Sequence, residues 1–341
     1  MRSGRAVVLM TAAVSVLAGT TAGGKAAGNG VGPRTPDTWS AATPFSAPRA
    51  GPAVVGKGLI YAIGGCTDVV CSSTPLGTNT AFNAKKGFWI DEAAMPTPRG
   101  RLGAALARDA SGTMQIYTLG GAGAGLTPLA ANEAYNPASN SWSPAAPLPT
   151  PRFDMAVAAA SNGLIYTAGG CCGDPTVVEA YNPKTNTWIC SKNDTAPGCS
   201  TTTLAPLPDG RYAAAAVAKG TLICVIGGIS SSTRQPTNTV HVYDAKKNVW
   251  STKSSMPTAR YGPSAAFASN GLIFAIGGAT SSGVPGANEA YDPRADVWIT
   301  KTSMPTPRNF LGVAAGSDKR LHALGGDNNG NALAANGAYT P

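Results

Sequence analysis

Charge is scarce in this sequence. Acidic and basic side chains make up 13% of its 341 residues, about half the usual share of roughly 25%. Histidine is scarcer still, with His241 and His322 alone, which argues against a dedicated metal site built on imidazole. After the first twenty positions no apolar run reaches the roughly 18 residues that would cross a bilayer, so a multi-span membrane protein is excluded. No Gly-x-Ser-x-Gly elbow, P-loop or His-Glu-x-x-His stretch occurs. The balance of 26 basic to 17 acidic residues gives +9, but no Lys/Arg run exceeds two and no basic stretch is interleaved with aromatics. Specific nucleic-acid binding is therefore not expected.

Glycine and proline are abundant: 42 and 27 residues, a fifth of the chain against a usual level of about 12%. Breakers at that frequency rule out a helical bundle and any fold that needs helices between strands. Hydrophobic residues still make up 43%, enough to bury a core.

The N-terminus reads as an address. Arg2 and Arg5 precede the apolar run Ala6–Ala18, and small residues follow through Ala22. That order is the charged region, apolar region and small-residue cleavage site of a secretory signal. Residues 1–22 are expected to be a removed signal peptide and 23–36 a Gly/Ala-rich flexible linker, with the mature protein periplasmic or extracellular.

From residue 37 onward the chain repeats itself. Gly-Gly pairs begin at residues 64, 120, 169, 227, 277 and 325, each closing a β-branched or aromatic run such as Leu59–Ile63 or Leu272–Ile276. A variable loop follows each pair, and then an aromatic in a turn context: Phe82, Tyr135, Tyr181, Tyr243, Tyr291 and Tyr339. Seven residues past each of the first five stand Trp89, Trp142, Trp188, Trp250 and Trp298. Pro and Arg then recur, as in Met95–Arg99, Leu148–Arg152 and Met304–Arg308. The sixth copy stops after Tyr339 without its Trp. The missing piece sits at the other end of the chain, as Trp39 followed by Pro48-Arg49. A unit divided between the termini makes sense if the first and last segments pair to close a ring. Each unit offers four short strands, and four-stranded sheets repeated radially form a propeller with few exposed edges.

The double glycine, Tyr, Trp and Pro-Arg, in that order over about 50 residues, resemble the kelch repeat, and the resemblance covers residues 37–341. The fold expected is all-β: a six-bladed kelch-type propeller of four antiparallel strands per blade, closed by pairing the N-terminal strand with the C-terminal blade. The tryptophans are expected to be buried between neighbouring sheets. The resemblance extends to the copper-radical oxidases, but two histidines on separate blades do not meet their ligand set. No metal, cofactor or catalytic residue is assigned.

Side chains that recur in every unit are most simply structural, and those that break the pattern are candidates for function. His322 occupies a strand position that is aromatic in several blades and reads as a packed residue. His241 takes the place of Glu133, Glu179 and Glu289, and reads as a cross-strand polar partner. Arg49, Arg99, Arg152, Arg211, Arg260 and Arg308 open the innermost strands, and Arg101 lies nearby. Placed on the loop face around the central channel, they would form a ring of guanidinium groups suited to carboxylates. Kelch proteins that bind acidic peptides or act on sialic acid use arginines of this face, and the resemblance implies the same surface here. The competing reading of a repeated arginine is that it bonds neighbouring loop carbonyls.

Among seven cysteines, Cys224 lies within an apolar strand and is expected to be a buried thiol. The other six, Cys66, Cys71, Cys171, Cys172, Cys190 and Cys199, are disulfide candidates in an exported chain. The first choices are 66–71 and 190–199; Cys171 and Cys172 could bridge each other, or one could reach Cys199. The functional expectation is a monomeric binding module for a protein or glycan partner, with a preference for anionic ligands. The alternative is a carbohydrate mutarotase or epimerase similar to the kelch-type sialic-acid enzymes.

Overall fold

A computed structural model describes residues 37–72 and 75–341; the expected signal peptide and linker lie outside the described residues. The described chain forms six antiparallel sheets of one design. An Ala/Gly-rich innermost strand comes first: 53–57, 103–108, 156–159, 215–219, 264–267 and 312–315. The apolar strand that ends at Gly-Gly follows, then the Tyr strand and the outer Trp strand. Innermost strands of successive blades face one another around the axis, and the spacing there explains their small residues. A Cβ at Gly103 would overlap Val157 of the next blade, and one at Gly312 would overlap Val54.

The outer strand of blade VI is Thr38–Ala42, and it pairs with Asn336–Thr340 in the register Trp39↔Tyr339. The ring is therefore closed by the two ends of the chain, as the divided repeat required. There is no single core. Six apolar clusters each straddle one seam between blades; one joins Tyr117 and Leu119 of blade II to Ile165 and Tyr181 of blade III, and another joins Ile60 and Phe82 of blade I to Ala314 and Leu324 of blade VI. A blade cannot bury its faces alone, so stability depends on both neighbours.

The aromatic repeats hold these seams. Each Trp faces the Tyr or Phe of its own blade across the sheet, with ring centroids 4.8–5.1 Å apart. Each indole N–H donates to a carbonyl of the preceding blade, from Trp39 to Thr302 O through Trp298 to Ser254 O. Five of the six are only partly buried, which departs from the expected burial. They lie along the blade's outer rim, and Trp188 alone is fully covered. Its cover is an addition to the expected four strands. In blade III Cys199–Leu204 forms a fifth strand parallel to Thr187–Ser191, and the Cys190–Cys199 disulfide ties the two. Replacing both cysteines with alanine should cost about 2–3 kcal/mol by the chain-entropy account of so short a loop. Thermal unfolding with and without reductant measures it; equal midpoints for parent and variant would contradict the tethering role.

The turn before each Trp carries a second device. Asn140, Asn186, Asn248 and Asp296 sit at positive φ. Each accepts the hydroxyl of its blade's tyrosine and a backbone N–H of the preceding blade, as Asn186 Oδ1 does from Tyr181 (2.7 Å) and Ala146 N (2.7 Å). In blade I both members change together: Phe82 has no hydroxyl and Gly87 stands at the turn. In blade VI the turn is where the chain ends fall, and the Tyr339 hydroxyl is buried without a partner among the described residues.

Candidate functional site

The repeated arginines come first, because the expected ring of cations rested on them. Arg49, Arg99, Arg152, Arg211, Arg260 and Arg308 are all between 0 and 3% exposed. Each turns back into its own blade and donates to the carbonyls where the second and third strands end. Arg99 reaches Gly120 O (2.7 Å), Thr118 O (3.1 Å) and Glu133 Oε2 (2.5 Å). Arg152 reaches Glu179 and Thr167, and Arg260 reaches Glu289, Gly277 O and Ala275 O. Arg49 donates to Ala62 O and Arg308 to Ala323 O. In blade IV His241 replaces the Glu, and Arg211 takes Asp209 instead, 3.0 Å away. The departure from Thr-Pro-Arg to Asp-Gly-Arg thus supplies the carboxylate that His241 cannot. Burial lowers the His241 pKa to about 4, with the nearby Arg211 charge adding to the effect; its Nδ1 meets Thr252 across the strand pair. The other histidine, His322, is fully buried and lies between the Phe82 ring and Asp318. The six guanidinium groups satisfy buried carbonyls, and so they present no surface to a ligand in the channel.

The channel mouth is built from the residues two positions beyond each arginine: Gly51, Arg101, Asp154, Ala213, Gly262 and Phe310. All six are left-handed, with φ between 47° and 61°. Their amides form a closed belt around the axis: Gly51 N to Phe310 O, Arg101 N to Gly51 O, Asp154 N to Arg101 O, and so on to Phe310 N to Gly262 O, at 2.8–3.1 Å. This conformation costs about 1–2 kcal/mol for each non-glycine residue, and four of the six are not glycine. Strain retained in this way is characteristic of functional positions.

Three of those residues carry large side chains over the opening. Arg101 bonds Asp154 at 2.7 Å, donates twice to Val69 O, and lies 4.2 Å from the Phe310 ring centre. Burial raises the Asp154 carboxyl, and Arg101 opposes that rise. Tyr212 and Tyr261, from the intervening positions, continue the rim, and Tyr261 meets Phe310 with ring centres 6.0 Å apart. Together with the exposed Arg234 they bound a cavity of about 700 Å³. Its wall also holds two buried oxygens without partners among the described residues, Asn309 Oδ1 and Asp327 Oδ2. Of the seven arginines named from the sequence, Arg101 alone reaches this cavity. Asp154, Tyr212, Tyr261 and Phe310 escaped the sequence reading, although they stand one or two residues after each recurring Arg, where the repeat varies.

The cysteines divide cleanly. Disulfides join Cys66 to Cys71 and Cys190 to Cys199. Cys171 and Cys172 are free neighbours. Burial pushes the Cys171 thiol up to about 12 and the buried Cys224 thiol up to about 11, so neither is a ready thiolate. Among the described residues Cys190, Asp194 and Cys199 could reach one ion, but the disulfide occupies both sulfurs.

Comparison with known proteins agrees with this architecture. The Kelch motif family matches residues 152–193 and 210–257, which are blades III and IV from their arginines to just past their Trp strands. Blades III and IV carry Kelch motifs, and the chain folds as a six-bladed propeller of the kelch type. It is 32% identical over 203 residues to Kelch-like protein 25 of Xenopus tropicalis, covering 56% of this chain and 31% of that one. To beta-scruin of Limulus polyphemus it is 26% identical over 241 residues, 66% of this chain and 24% of that one. The chain thus spans about a third or less of the length of these curated relatives. The solved structure of YjhT superposes with a TM-score of 0.67 and 18% identity over 87% of this chain and 96% of that one, a likeness of fold. No helix among the described residues is long and apolar enough to cross a membrane.

Proposed function

We propose that this kelch propeller is an exported interaction module that takes a protein partner at the channel mouth. The observation that carries the reading is the cluster of Tyr212, Tyr261 and Phe310 beside Arg101 and Arg234 around one concave opening. Tyrosine and arginine dominate the energetics of protein interfaces because they bury large areas and keep a polar end. The two disulfides and the signal-like N-terminus support export, and a monomer suffices because the site is complete within one ring. The anionic preference first expected of the partner loses its main support, since six of the seven arginines are buried in the blades.

Tyr212→Ala and Tyr261→Ala test the module. Each should weaken a partner captured from the native extract by about tenfold or more and leave the melting temperature near the parent's. Unchanged capture by both variants would remove the mouth from the binding surface. A carbohydrate mutarotase is the second reading, and Asp327 is the observation in its favour: burial raises its carboxyl toward the range where it can carry a proton. Faster anomer exchange of an acidic sugar, followed by NMR and lost in Asp327→Asn, would decide for the enzyme.

A further inference from the structure

Blade VI lacks the carboxylate that four of the other blades bond to their repeated arginine. In blades II, III and V a glutamate on the third strand neutralises the buried arginine, at 2.5–2.8 Å. Blade IV uses Asp209 for the same purpose. In blade I Thr80 stands at the glutamate position, and Arg49 lies 4.1 Å from the Phe45 ring centre and feels the Asp91 charge. In blade VI the position is Gly337. Arg308, 1% exposed, donates Nη2 to Ala323 O, and its Nε has no partner among the described residues. Burial alone lowers its pKa to about 10, with no acid acting on it.

The missing side chain leaves a cavity of about 340 Å³ at the seam of blades V and VI, walled by Trp39, Pro44, Met304 and Pro305 and with Arg308 and Thr306 at hand. Thr306 matters because of its counterparts. Thr97 Oγ1 donates to Glu133 Oε1 (2.7 Å) in blade II, and Thr258 Oγ1 to Glu289 Oε1 (2.6 Å) in blade V. Thr306 holds the same place in Met304–Arg308, and its hydroxyl makes no hydrogen bond among the described residues. Both donors that hold a carboxylate elsewhere in the ring are thus present here without one.

We propose that this cavity binds a carboxylate from outside the chain, a small organic acid or an acidic side chain with a short apolar stem. Its oxygens take the place of the absent glutamate on Arg308 and Thr306, and its stem lies along Trp39 and Met304. A buried guanidinium gains most from such a partner because water competes little there. The site is separate from the channel mouth and does not depend on the function proposed for it.

The test uses the whole protein and follows the Trp39 indole N–H by NMR, assigned with Trp39→Phe, as glutarate or acetate is added against chloride at equal ionic strength. Glutarate should shift that resonance saturably in the millimolar range, near −4 kcal/mol by the standard relation, and leave the other five indoles in place. Gly337→Glu supplies the carboxylate internally and should weaken glutarate binding at least tenfold. The Cβ would sit 3.3 Å from Arg308 Nη2 and from the Trp39 ring, so a variant that fails to fold is covered by Thr306→Val, at an exposed position, which should weaken binding several-fold. No Trp39 shift at about 50 mM glutarate, an equal shift with chloride, or full binding by Gly337→Glu or Thr306→Val would overturn the proposal.

Discussion

Glu179→Ala should lower the unfolding free energy by about 3–5 kcal/mol, the loss expected when one member of a buried ion pair is removed and the other stays. Arg152 is 1% exposed and Glu179 fully buried. The guanidinium holds Glu179 Oε2 at 2.5 Å and Thr167 Oγ1 at 2.6 Å, and its Nε already has no partner among the described residues. In Glu179→Ala the cation would remain buried within its own blade, out of reach of water. The double variant Arg152→Met/Glu179→Leu should regain most of the loss. Burial pushes the Glu179 carboxyl up against the downward pull of Arg152, and an apolar pair of similar volume avoids the cost of dehydrating two charges. Denaturant unfolding of the parent, the single variant and the double variant gives the three stabilities to compare. A single variant within about 1 kcal/mol of the parent would mean that the arginine finds water or another acceptor, and the structural assignment of all six arginines would weaken with it.

A chain that begins at Thr43 should not fold cooperatively at 25 °C. It lacks the five residue pairs of Thr38–Ala42 with Asn336–Thr340, the Trp39 indole bond to Thr302 O and the cover over Tyr339. An open sheet edge is left behind. Those losses act on a net stability of only about 5–15 kcal/mol, and every seam depends on both flanking blades. The complementary experiment joins the ends. A three-residue insert closing on Asn between Pro341 and Thr38 would reproduce the Tyr-to-Trp turn of blade II and give the Tyr339 hydroxyl its missing acceptor. With new termini opened at the exposed turn 110–112, this permutant should melt at or above the parent. Circular dichroism during heating reads both cases. A sharp transition for the truncated chain close to the parent's would show that blade VI stands without its outer strand.

The blades were legible because each signal is local. Gly-Gly ends a strand, Tyr and Trp face each other across a hairpin, and the absence of a Trp after Tyr339 pointed to Trp39. The disulfides 66–71 and 190–199 were legible for the same reason, since both close short loops. The fifth strand of blade III was not, because Cys199–Leu204 is a polar Thr/Ser run that gains its place from a disulfide and a parallel neighbour. The arginines were placed on the right loops but with the wrong side outward. A glutamate partner recurs in blades II, III and V, and blade IV, where Asp209 appears as His241 replaces the glutamate, held the clue that arginine and acid belong together.

The sequence alone determined the number of blades, the way the ring closes and the residues that repeat within it, since these follow from periodicity along strands and hairpins. Only the tertiary structure decided that the six repeated guanidinium groups face inward, that Arg101, Asp154, Tyr212, Tyr261 and Phe310 meet at one opening, and that Arg308 lacks an acid. Those facts depend on which atoms the curvature of the ring brings together from blades up to some 200 residues apart in the chain, and on how much water that packing excludes.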